Sequence, residues 1–320
     1  MRPNNLPAVI AAIALSVLSA CSTASQSNGV ALAKAGQAAA MQMEQSATLS
    51  AATYAALKQA VVFDAGFSND TNDPVTQDFL KQETQIQTAL AAYGTLLDKL
   101  ANAYAALGAL ASYDASGTFS SAVSNLCGSA DNLVSKMAKG GPAAANVCQP
   151  LSTGFGQIAS AVQAQQVVDA SDQIAGVLST VIPILSDKSR RDLIVINNQL
   201  VQRQIVAAAN DLYASGVFSC GPLLTALGAP LGLTPVSGVD AVIDKHPNVK
   251  RGCLAVVSAT AADSVNSAGA AYDKSVEALN ALLDQHKKLK AGQPLDLDTI
   301  NAILANLQGL AGKLQPPKGK

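Results

Sequence analysis

Apolar residues in this chain recur at helical spacing over most of its length, and no run alternates as a strand would. The cleanest stretch lies between about Val75 and Ala111. There Ile86, Leu90, Tyr93, Leu97, Leu100, Tyr104 and Leu107 follow one another at steps of four and three. That is a sustained heptad seam, and it predicts one long helix of about 55 Å. Left in water, such a stripe drives aggregation, so it requires partner helices. Upstream, Val30 to Val62 is rich in Ala, Gln, Met and Leu and lacks Pro, which predicts another long helix. The turn residues of 64–74 (DAGFSNDTNDP) are expected to end it.

Further helices are expected over Thr118–Lys139, Leu151–Ile182, Lys188–Ala214 and Lys250–Lys290, with a last one from Asp296 or Asp298 to Leu314. Ile174, Val177, Val181 and Ile184 mark the apolar face of the second of these, which Pro183 kinks or interrupts. Val201, Ile205, Ala208 and Leu212 mark the third; Tyr272, Val276, Leu279 and Leu283 mark the fourth. Lys287, Lys288 and Lys290 crowd the end of the 250–290 helix, where cations suit the helix dipole. The pattern predicts an all-α fold: an elongated antiparallel bundle of long helices, one domain over 30–314, with a disordered tail at 315–320.

Composition sharpens this. The net charge is −1, with 21 basic and 22 acidic residues, so no basic surplus exists for binding nucleic acid. Charged residues are only 13% and aromatics 4%, with no Trp, so stacking platforms for bases or sugars are scarce. The abundant alanines allow close helix approach and leave little volume for a ligand pocket.

The first twenty residues carry Arg2, an apolar run from Pro7 to Leu18, and small residues before Cys21. This is a secretory signal pattern, too short to span a bilayer as an anchor. Leu18-Ser19-Ala20-Cys21 resembles the lipobox of bacterial lipoproteins. The resemblance implies cleavage before Cys21, a diacylglycerol on its thiol, and acylation of the new amine. Several acyl chains make attachment effectively permanent, where one alone is marginal. Ser22 and Thr23 follow, and neither is the Asp that retains such lipoproteins in the inner membrane. The resemblance therefore implies an outer-membrane anchor, facing the periplasm or the cell surface. Residues 21–29 are polar after the cysteine and read as a flexible tether.

Four cysteines remain: Cys127, Cys148, Cys220 and Cys253. In an exported chain they suggest disulfides, with three connectivities open. Nearest-neighbour pairing, Cys127 with Cys148 and Cys220 with Cys253, is expected, because each interval holds Gly and Pro and reads as an irregular helix connection. No CxxC spacing and only two histidines argue against a metal site, and no cofactor is implied.

Candidate chemistry is sparse. His286 continues the 250–290 seam three residues after Leu283 and reads as a partly buried seam residue. His246 lies in DKHPNVK near Asp240 and Asp244, a weak cation constellation. Asp169 and Asp172 share a helix face, but Gln, Ser and Ala surround them, so a solvated face is expected rather than an acid–base pair. Lys188, Arg190 and Arg191 form a small basic cluster that suits local acids or lipid head groups. No phosphate loop, nucleophile elbow or HExxH occurs. From Leu212 to Val239 there is no charged residue; Leu223, Leu224, Leu227, Leu231 and Leu233 make this either a buried cap or an exposed tip for a membrane or partner. These features suggest a non-enzymatic envelope lipoprotein serving as scaffold, spacer or partner-binding rod. The alternative is a periplasmic carrier or chaperone for an apolar or lipid ligand, gated by 212–239.

Overall fold

The computed structural model describes residues 6–69, 72–112, 117–137, 163–192, 198–215, 221 and 247–314, with side chains from Ser25 onward apart from 163–164, 190 and 198–203. Among them all regular structure is helical: α1 Leu6–Phe67, α2 Pro74–Ala111, α3 Gly117–Met137, α4 Gln163–Ser186, α5 Lys188–Arg191, α6 Asn198–Ala214, α7 Pro247–Lys290 and α8 Asp298–Leu314.

Local chemistry sets the boundaries. Asp73 caps α2: its Oδ2 accepts from Thr76 N at 2.9 Å and Thr76 Oγ1 at 3.0 Å, and Pro74 occupies the first helical position. The Thr76 amide holds the Asp73 carboxyl below the ordinary carboxylate range. α7 stops at Lys290, and Gly292, with φ 65°, closes a paired turn after it: Gln293 N donates to Lys288 O and Gly292 N to Leu289 O.

Several elements differ from the sequence expectation. α1 continues past Val62 to Phe67, because Asp64 and Gly66 are tolerated until Asn69, with φ 53°, takes the left-handed turn. It also runs unbroken through 21–29, where Ser25 and Gln26 are half-buried and Gly29 is buried. Pro183 lies inside α4 without ending it, three residues before the helix stops, where few downstream hydrogen bonds are at stake. The expected 188–214 helix is described over α5 and α6, and 193–197 between them lie outside the described residues. The described part of the expected 151–182 helix begins at Gln163.

The chain divides into two compact units. The first comprises Met1–Ala47, Ala91–Arg191 and Ala271–Gly309; the second comprises Thr48–Leu90, Asp192–Ala270 and Leu310–Lys320. In the first, four helices lie side by side. Gly29, Ala33 and Gly36 of α1 meet Ala111, Gly108 and Tyr104 of α2, so these two run antiparallel. Tyr272 and His286 of α7 meet Tyr93 and Tyr104 of α2, so these run parallel. Tyr272 and His286 also bond Leu185 and Ser171 of α4, which therefore runs opposite to α7.

The seam residues Leu97, Leu100, Tyr104 and Leu107 are buried here with Ile174, Val177 and Val181 of α4 and Phe119, Leu126 and Leu133 of α3. Each such aliphatic or Phe side chain contributes about 1.5–3 kcal/mol on burial. On α7 the buried face is Tyr272, Ser275, Leu279, Leu282, His286 and Leu289. Val276 and Leu283, expected on it, are half-buried. The face is turned because polar Ser275, whose hydroxyl donates to Ala271 O, is buried at a position that hydrophobicity alone assigns elsewhere.

In the second unit α1 and α2 are again antiparallel: Gln87 Nε2 donates to Ala51 O at 2.7 Å, and Lys58 Nζ lies 2.8 Å from Glu83 Oε2. Its core includes Tyr54, Val61, Phe79, Ile86, Ile205 and Val265.

Candidate functional site

The polar centre of the first unit is His286. α7 carries it one turn beyond Leu282, on the face that points inward. α2 delivers Tyr104 from the heptad seam, and α4 delivers Ser171 beside Ala170 and Ile174. Tyr104 Oη lies 2.8 Å from His286 Nε2, and Ser171 Oγ lies 2.6 Å from His286 Nδ1. The Tyr104 and His286 rings also stack, with centroids 5.6 Å apart and 25° between planes.

α1 completes the site by what it omits. A Cβ on Gly36 would fall 2.3–2.4 Å from three atoms of the Tyr104 ring. Glycine therefore lets the ring lie against the α1 backbone, and the ring in turn places its hydroxyl on the imidazole. All three partners are sealed: Tyr104 is 0% exposed, Ser171 and His286 1% each.

Burial pushes the His286 pKa down to about 3, against a smaller upward pull from the Asp172 carboxylate. Asp172 is itself engaged by Lys290 Nζ at 2.8 and 2.9 Å. A neutral imidazole has one N–H donor and one acceptor nitrogen. One hydroxyl thus accepts from the ring and the other donates to it, and both ring nitrogens are satisfied. Burial also pushes the Tyr104 hydroxyl pKa up, so it stays protonated.

A serine hydroxyl 2.6 Å from an imidazole has the look of a nucleophile and its base. Here the second ring nitrogen faces a phenol rather than an orienting carboxylate, and the serine is buried. What the cluster does chemically is tie α2, α4 and α7 at one level, with α1 held close by Gly36.

A second buried phenol behaves differently. Tyr93 lies edge-on to Tyr272, with centroids 5.7 Å apart. Its hydroxyl sits beside Ser275, whose own proton goes to Ala271 O, and it makes no well-formed hydrogen bond among the described residues. Tyr93→Phe is therefore expected to change unfolding free energy by less than about 0.5 kcal/mol, or to raise it. Tyr104→Phe, which orphans an imidazole nitrogen, is expected to cost about 1–3 kcal/mol. Urea melts of the two variants side by side check the contrast.

The other expected sites fall into place as follows. Asp169 and Asp172 do not form an acid–base pair: Asp169 accepts from Gln165 at 2.8 Å and Asp172 pairs with Lys290, both at the surface. Arg191 forks onto Asp273, with Nε–Oδ1 at 2.7 Å and Nη2–Oδ2 at 2.8 Å, so this member of the basic cluster is paired with an acid. Cys127 and Cys253 are buried, while Cys148 and Cys220 lie outside the described residues. His246, Asp240, Asp244, Leu223, Leu224, Leu227, Leu231 and Leu233 also lie outside them. No group of three or more His, Cys, Asp or Glu is placed to hold a metal ion among the described residues.

In the second unit, Asp64 faces Asp211; desolvation first, then the neighbouring carboxyl, push the Asp64 pKa up to about 6. Lys250 Nζ lies 4.8 Å from the Tyr213 ring centroid. Val62, Phe63, Phe67 and Val75 are exposed around the α1–α2 turn, and Phe63 stacks on Phe67 at 6.0 Å.

No protein-family model, no curated protein and no solved structure matches this chain.

Proposed function

We propose that the protein is a non-enzymatic envelope lipoprotein, anchored by acyl chains on Cys21, whose helical bundle serves as a scaffold, spacer or partner-binding rod. The observation that carries the reading is Leu18-Ser19-Ala20-Cys21 directly after an apolar run. The interior supports a structural role: the one imidazole among the described residues is spent on two internal hydroxyls. Close helix contact at Gly29, Gly36 and Gly108 leaves no gap at those levels for an apolar cargo. Exposed Phe63, Phe67, Val62 and Val75 offer a partner an apolar contact.

Disulfides joining Cys127 to Cys148 and Cys220 to Cys253 belong to the same reading. Cys127 and Cys253 are both buried, and an oxidising compartment would suit such bridges. Each bridge would contribute roughly 3–4 kcal/mol on the chain-entropy model.

Detergent partitioning of wild type and Cys21→Ala tests the anchor, and crosslinking in cells tests the partner. The wild type is expected in the detergent phase with a crosslinked envelope protein, and the variant in the aqueous phase. Identical partitioning removes the anchor, and recovery of monomer alone under several crosslinkers removes the partner.

A further inference from the structure

We infer that the acylated Cys21 holds the first unit directly against the bilayer, with the α2 C-terminus and the α4 N-terminus seated at the lipid head groups. The inference rests on the lipoprotein reading above and adds which surface meets the membrane.

Three observations carry it. First, α1 is helical through Cys21, and its side chains are already half-buried at Ser25 and Gln26. Four helical steps place Ser25 about 6 Å from the acylated residue. Even if Ser22, Thr23 and Ala24 unwound completely after signal cleavage, the reach would be at most about 14 Å. No tether of the length suggested by the polar composition of 22–29 is left.

Second, the first packed turns of α1 identify what lies at that level. Gly29 is in contact with Ala111 and Val167: its added Cβ would meet Val167 Cγ1 at 2.4 Å and Ala111 Cβ at 3.4 Å. Ala111 is the last residue of α2, and Val167 lies in the first turns of α4. α7 runs parallel to α2, so its C-terminal turn at Lys290–Gly292 points towards the same end.

Third, two of the three lysines there are paired with acids, and only Lys287 adds an exposed charge. Lys290 pairs with Asp172, and Lys288 Nζ lies 3.3 Å from Asp284. Attachment therefore depends on the acyl chains and the short reach, and high salt should not release this face.

The absence of Trp from the chain supplies the test. A single reporter is introduced as Gln165→Trp, on an exposed position at the start of α4, or as Thr95→Trp, exposed on α2. Thr95 lies about 24 Å along α2 from Ala111. The acylated protein is bound to phosphatidylethanolamine/phosphatidylglycerol vesicles carrying a nitroxide on the lipid head group. Quenching several-fold stronger at the α4 reporter than at the α2 reporter is expected, unchanged in high salt. Inserting a long Gly-Ser stretch between Ser22 and Thr23 is expected to level the two. Equal quenching of both reporters in acylated, vesicle-bound protein overturns the inference and leaves the lipoprotein reading standing. A chain that mass spectrometry finds without lipid, and that does not bind vesicles, overturns both.

Discussion

Acidification from pH 7 to pH 4 is expected to destabilise the helices around His286 by about 3 kcal/mol, a slope of about 1.4 kcal/mol per pH unit. The unfolded imidazole titrates near its ordinary value of 6.5, and the folded one near 3. Between these values the unfolded chain binds a proton that the folded chain does not. Stability is therefore full above 6.5, falls as pH drops, and levels off near 3.

The groups around the ring do not compensate. Tyr104 and Ser171 are neutral, α1 presents Gly36, and Asp172 is held by Lys290 at the surface. Asp64, in the second unit, acts in the opposite sense: its raised pKa means that stability recovers as pH falls from about 6 towards 3.8. Hydrogen exchange of peptides covering Tyr104 and His286 separates the two effects, because it reads the first unit alone. His286→Gln keeps a donor and an acceptor without a titrating ring, so its slope between pH 6.5 and 4 should vanish. A variant with the wild-type slope would remove His286 as the cause.

Gly36→Ala is expected to cost about 2 kcal/mol net, although alanine favours an exposed helix by about 1 kcal/mol over glycine. The new methyl would sit 2.3–2.4 Å from the Tyr104 ring, whose hydroxyl and face are both committed to His286. Overpacking of this kind typically costs about 1–3 kcal/mol, and a ring fixed at two points cannot swing aside. Two comparisons isolate the mechanism. Gly94→Ala, on α2 with nothing within 4 Å of the added Cβ, should stabilise by about 0.5–1 kcal/mol. In a Tyr104→Leu background the Gly36→Ala penalty should disappear, a coupling that a double-mutant cycle in urea measures. Equal penalties in both backgrounds would mean that the ring is not what Gly36 accommodates.

Much of this fold is legible in the sequence where one force dominates. The seam from Ile86 to Leu107 is buried at every position named, because large side chains at steps of three and four have one inward face. The last helix starts at Asp298, within its expected range. Legibility fails where packing and polarity compete. The 22–29 segment is polar enough to read as a tether, yet its backbone is helical, and Gly29 packs against Ala111 and Val167 of later helices. The α7 face is misassigned at Val276 and Leu283 because polar Ser275 is buried, its hydroxyl donating to Ala271 O.

At the site itself, the seam position of His286 is readable, though only as partly buried, whereas it is 1% exposed. Gly36 and Ser171 are not readable: they lie 250 and 115 positions from it, and only the tertiary fold shows why one must lack a side chain and the other must carry a hydroxyl. Glu83, with 1% of its side chain exposed opposite Lys58, is a similar case: its burial depends on a partner in another helix.

The double engagement of the imidazole has a practical corollary. A ring whose two nitrogens are both occupied offers no lone pair to an electrophile such as diethyl pyrocarbonate, so carbethoxylation of His286 must wait for α2, α4 and α7 to separate. Its labelling rate then serves as a clock for the opening of the first unit, read by mass spectrometry with no engineered probe.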